Sequence, residues 1–170
     1  MRGAVLPLAL IAAALTACAN TGQLDLPPVT EKLPITLGDQ SFTLIDGVAE
    51  KPAAPGSSAA ETVRAVGDPL IGGDITGDGR PEAALLVTDD PGGSGTFYYA
   101  VLALSGTDSW RATNAVALGD RIEPLGIDFV DGHFRYRFLE RKPGESMAEP
   151  PRVEKTVEVR FDPSTGRISA

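Results

Sequence analysis

One cysteine, one histidine and one tryptophan occur in 170 residues, and aromatic residues make up only 6% of the chain. A single cysteine excludes an intrachain disulfide and any metal site built from several thiolates. A single histidine, His133, leaves no pair of imidazoles to hold a metal-activated water. Neither G-x-S-x-G nor H-E-x-x-H is present, and Gly93-Ser94-Gly95 reads as a turn, not as a nucleophile elbow. His133 follows Asp131-Gly132 on the outward face of an alternating segment, where a solvated or hydrogen-bonded role is expected. Basic excess is also missing. The 23 acidic residues outnumber the 15 basic ones, giving a net charge of −8. No Lys/Arg cluster offers the surface that phosphate binding needs, so nucleic acid is not an expected partner. No repeat and no helical period of three turns is found after residue 18.

What is present begins at the N-terminus. Arg2 precedes the apolar stretch Ala4–Leu15, which is too short to span a bilayer but has the length of a secretory h-region. The stretch ends in Leu15-Thr16-Ala17-Cys18, which resembles a bacterial lipobox. The resemblance implies a signal peptide of residues 1–17, cleavage before Cys18, and acylation of its thiol and new amino group with palmitate-type chains. One chain anchors only marginally and several anchor stably, at roughly 0.8 kcal/mol per buried methylene. The other reading of Cys18 is a free thiol behind an ordinary signal peptide or membrane anchor. Ala19, where Asp is absent, is similar to an outer-membrane signal in Gram-negative lipoproteins. The expected location is therefore the cell envelope, on the outer membrane facing the periplasm, with the membrane bound through the N-terminal lipid.

Residues 18–34 are Pro-rich and lack an apolar period, which predicts a flexible tether. Residues 35–170 are of one-domain size. Within them Lys51–Ala60 is a loose Pro/Ala/Gly/Ser stretch. Ser41–Asp46 alternates as a strand, and Thr62–Val66 is a candidate for another. Glu82–Thr88 and Thr96–Leu104 flank the turn residues Asp89–Gly95 and predict a hairpin. Asp131-Gly132 joins Gly126–Phe129 to the strictly alternating His133–Leu139, a second hairpin. Glu154–Phe161 alternates again, and Ile168 closes a short last strand. The pattern predicts a mainly β fold, a small antiparallel sandwich or meander of seven to nine short strands with room for one short helix.

The sharpest motif is Asp74-Ile75-Thr76-Gly77-Asp78-Gly79-Arg80-Pro81-Glu82. It resembles the calcium loops D-x-[DN]-x-D-G-x-x-[DE] of FG-GAP repeats, dockerins and EF-hands. In such loops the first, third, fifth and ninth side chains and the seventh carbonyl face one centre. Here these are Asp74, Thr76, Asp78, Glu82 and the carbonyl of Arg80. Gly79 permits the sharp turn. Thr76 supplies a neutral hydroxyl, so a bound Ca²⁺ would be held weakly, on the order of 0.1–1 mM. Leu85 stands at the twelfth place, which predicts a loop followed by a strand. The alternative is an ordinary Asp-Gly turn with solvated carboxylates.

Beyond the loop, Arg135, Arg137, Arg141 and Lys142 are expected to pair at the surface with nearby Glu140 and Glu145. Phe97, Tyr98 and Tyr99 read as strand residues. Trp110 reads as a partly covered loop residue. The segments GDITGDGRPEAALL, DDPGGSGTFYYAVLAL, TNAVALGDRIEP and ERKPGESMAEPP together resemble a group of bacterial envelope lipoproteins. The likeness runs from Gly73 to Pro151. It implies an envelope location and carries no activity with it. Asp120, Arg121, Arg141 and Glu145 are expected to form one ligand surface near the acidic loop. The leading functional expectation is a lipid-anchored, non-enzymatic envelope protein with a calcium-binding loop and a binding or structural role toward an envelope protein or polymer. The alternatives are a hydrolase of envelope polymer using Asp74, Asp78 or Glu82, and an inhibitor presenting the Pro91–Gly95 turn to a protease.

Overall fold

The computed structural model describes residues 26–170; the signal segment, Cys18 and the first part of the tether lie outside the described residues. Among those residues there are twelve strands and no helix, and every strand pairing is antiparallel. The mainly β fold is as expected, but the strand count exceeds seven to nine and the short helix is absent.

The first sheet runs in the order β1 (Lys32–Leu37), β2 (Gln40–Ile45), β3 (Val48–Pro52), β4 (Ala60–Gly72), β5 (Glu82–Asp90), β6 (Phe97–Ser105) and β7 (Trp110–Ala112). β8 (Val116–Asp120) pairs with β6 beside β7. β1 comes against β7, so this eight-stranded sheet is nearly closed. The second sheet has the order β12 (Arg167–Ser169), β11 (Val153–Asp162), β10 (His133–Glu140) and β9 (Glu123–Val130).

The extra strands come mainly from the region read as tether and loose chain. β1 begins at Lys32, inside residues 18–34, and buries Leu33, Ile35 and Leu37 on one face. Val29 is buried as well. Pro34 is tolerated because β1 is the edge of the hydrogen-bonded path, where a missing N–H breaks no ladder. The folded domain thus begins before residue 35. Lys51–Ala60 is likewise shorter as a loop, because β3 runs to Pro52 and β4 starts at Ala60. The Asp131-Gly132 hairpin forms as expected, and Asp46-Gly47, where β2 ends, closes a further hairpin with β3. Asp46 and Gly47, and Asp131 and Gly132, have φ values of 49°, 81°, 53° and 79°, the two positive angles that a type I′ turn demands.

β5 and β6 are covered on both faces, which explains why Glu82–Thr88 reads as a continuous apolar run. One face points into the curled sheet with Leu85, Val87 and Val101, against Leu33, Leu44 and Val63. The other carries Ala84, Leu86, Ala100 and Leu102 and receives Phe134, Tyr136 and Phe138 from the second sheet. Across the ladder, Ala84 faces Leu102 and Leu86 faces Ala100, so each pair sets a small residue against a large one. The hydroxyl of Tyr136 lies 3.2 Å from the carbonyl oxygens of both Leu85 and Val101. Burial raises its pKa far above the usual tyrosine range.

Candidate metal site

The acidic loop connects β4 to β5. Gly72 pairs with Glu82 at its base, and the Glu82 N–H donates to the Gly73 carbonyl at 3.0 Å. Gly73 has φ +51°, and a Cβ there would lie 1.8 Å from the Phe129 ring, so only glycine fits. Gly77 and Gly79 have φ values of +80° and +84° and turn the chain as the motif requires.

Asp74 organises the loop from within. Its Oδ1 accepts from the Gly77 and Asp78 N–H groups at 2.6 and 3.1 Å, and its Oδ2 accepts from Gly79 at 2.7 Å. These bonds, Gly79 foremost, hold its carboxyl below the ordinary aspartate range. Asp78 accepts from the Arg80 N–H at 2.9 Å. Glu82 is fully buried, and its Oε2 accepts from the Ile75 N–H at 2.8 Å. The Thr76 hydroxyl lies 3.3 Å from both Asp74 Oδ1 and Glu82 Oε1. Burial pushes the Glu82 carboxyl up, and the negative charges of Asp78 and Asp74 push it further.

Asp74, Asp78 and Glu82 each offer a carboxylate oxygen, all within 4.8 Å of one another, and this triad could hold a metal ion. The donor set is hard oxygen throughout, which suits a hard divalent cation. The Arg80 guanidinium turns away from the triad and donates to the Gly106 carbonyl, tying the loop to the end of β6.

The expected ligand surface does not assemble at the loop. Asp120 pairs with Arg121, and its Oδ1 accepts from the Thr96 N–H at 3.0 Å. Arg141 donates to the Arg121 carbonyl at 2.8 Å. These three meet where Phe97 pairs with Asp120. The acidic loop is tied to the opposite end of β6, roughly 27 Å away at about 3.4 Å per residue. Glu145 binds Arg152 and the Lys142 N–H instead. The basic residues of β10 also choose other partners. Arg137 pairs with Asp128 at 2.7 Å and Arg135 with Asp131 at 3.7 Å, while Glu140 pairs with Lys155. His133 Nδ1 lies 2.8 Å from the Asp131 carbonyl oxygen. Trp110 is buried in the curled sheet, and its indole N–H donates to the Pro27 carbonyl at 2.9 Å.

A second polar group went unread in the sequence. Lys51 on β3 pairs with Glu61 at 3.2 Å and sits 4.2 Å from the centre of the Phe42 ring. Asp89 on β5 has a buried Oδ1 with no hydrogen-bond partner among the described residues. Burial raises its pKa, and Glu61 adds to the rise. The signal available was alternation: Asp89 occupies an inward position two residues after Val87. Asn114 likewise carries no local sequence signal of its role. Its amide donates to the Ile168 carbonyl at 2.9 Å and accepts from the Ile168 N–H at 2.7 Å, clamping β12 to the first sheet.

No protein-family model, curated protein or solved structure matches the chain.

Proposed function

We propose that this chain is a lipid-anchored protein of the bacterial envelope, held through Cys18, whose β domain carries a calcium-stabilised loop and works by binding or supporting another envelope component. The observation that carries the cation reading is the meeting of Asp74, Asp78 and Glu82 oxygens within 4.8 Å on a glycine-shaped hairpin loop. Ca²⁺ suits this donor set because it accepts irregular oxygen geometry, including hydroxyl, carbonyl and water ligands. The lipobox-like LTAC segment supports the anchor.

Thermal unfolding of residues 19–170 in EDTA and in calcium tests the loop. At a tenfold excess over its dissociation constant, bound calcium stabilises by about 1.4 kcal/mol, an expected rise of about 3–6 °C. Asp78→Ala should abolish the rise. An unchanged curve in the wild-type chain would reduce the loop to a turn. Labelling of cells with radioactive palmitate tests the anchor, and label retained by Cys18→Ser would reject it.

A second reading, a carboxylate-dependent hydrolase of envelope polymer, draws on one observation. The environments of Asp74 and Glu82 push their pKa values in opposite directions, as an acid–base pair requires. Glu82→Gln should then abolish release of soluble fragments from purified cell wall, and no release by the wild-type chain would dismiss this reading.

A further inference from the structure

The two sheets splay apart at one corner, where both bordering strands break register. In β4 the ladder is interrupted between Val66 and Leu70, because Gly67 turns at φ +69° and Pro69 has no N–H to donate. In β9 the partners of Phe138 and Arg137 are Pro124 and Gly126, so Leu125 is the extra residue of a bulge. Between these bulges lies an open cleft of about 470 Å³. Its floor is the core between the sheets, formed by Leu86, Leu118, Ile122, Tyr136 and Phe138. Val66 and Leu125 stand at its mouth, 39% and 42% exposed.

The volume falls within the roughly 300–1,000 Å³ of small-molecule sites. Charge selects among small ligands. The charged side chains lining the cleft are Asp68 and Arg137. Arg137 is already paired with Asp128 at 2.7 Å, whereas Asp68 has no ion-pair partner among the described residues. The net charge of −8 adds to the same preference.

We propose that this cleft binds a lipophilic amine: an alkyl or aromatic body between the sheets, with a cationic head at Asp68. The site is independent of the acidic loop and needs no metal.

Binding of dodecylamine, dodecanol and dodecanoate to the chain, below their aggregation concentrations and at neutral pH, tests the assignment by calorimetry. The expected order of affinity is amine, then alcohol, then carboxylate. Asp68→Asn should weaken the amine about fivefold, the upper range of an exposed ion pair, and leave the alcohol unchanged. Leu125→Trp and Val66→Trp change exposed rim residues and should weaken all three ligands while the melting curve stays in place. Absence of binding by the wild-type chain would overturn the proposal. So would binding indifferent to both rim variants, or tightest binding by the carboxylate or the alcohol.

Discussion

At the scale of single residues, conformation and burial impose demands that neighbouring sequence does not reveal. Gly73 and Gly77 both sit at positive φ, but only Gly73 faces the Phe129 ring, and nothing lies within 4 Å of a Cβ at Gly77. Gly77→Ala is therefore expected to cost about 1 kcal/mol of backbone strain, and Gly73→Ala at least about 3 kcal/mol, since strain and a clash with Phe129 combine. Equal losses in urea unfolding would contradict this. Asp89 yields a prediction with a definite sign. Its folded pKa lies above the ordinary 3.8, so the folded state holds the proton more tightly. Its contribution to stability is accordingly greatest at low pH and falls as pH rises from 3.8 through the raised value. Asp89→Asn should melt higher than the wild-type chain at pH 7, with the gap closing toward pH 4. A gap independent of pH would show that Asp89 does not titrate in this way.

At the scale of elements, β5 and β6 carry the architecture because both of their faces are covered. The small residues Ala84 and Ala100 let the second sheet approach, and Leu86 and Leu102 fill the space beside them. Ala100→Leu is expected to cost about 1–3 kcal/mol or more by overpacking this layer, although leucine suits a strand as well as alanine does. A neutral effect in chemical denaturation would mean that the sheets can separate freely. Period-2 alternation made β2, β10 and β11 legible, and Asp131-Gly132 made one hairpin legible, whereas Asp46 marked only where β2 ends. β1 was hidden by Pro34 and by the polar company of its three inward residues, because an edge strand tolerates both. The acidic loop was legible as a loop followed by a strand. Its closure as a hairpin over Phe129 was not, since Phe129 lies more than fifty residues downstream.

At the scale of the whole molecule, two apolar clusters share β5 and β6. Neither can lose its partner sheet without exposing a strand that also walls the other, so unfolding is expected to be a single transition. Trp110 belongs to the inner cluster and Phe138 to the outer one. Phe138→Ala, expected to cost about 3–5 kcal/mol, should move the tryptophan fluorescence midpoint and the far-UV circular dichroism midpoint together. Midpoints that separate would show two independently unfolding halves. The sequence by itself determined the β class, the Asp131-Gly132 turn and the acidic residues of the loop, because alternation, turn chemistry and ligand spacing are local properties of the chain. The tertiary structure alone decided that Asp120 and Arg121 lie at the far end of β6 from that loop, that Asp89 meets Glu61 and Lys51, and that a cleft opens between two bulges. Those outcomes depend on strand order, on register and on how the sheets cover one another, and each is set by contacts between segments far apart in the chain.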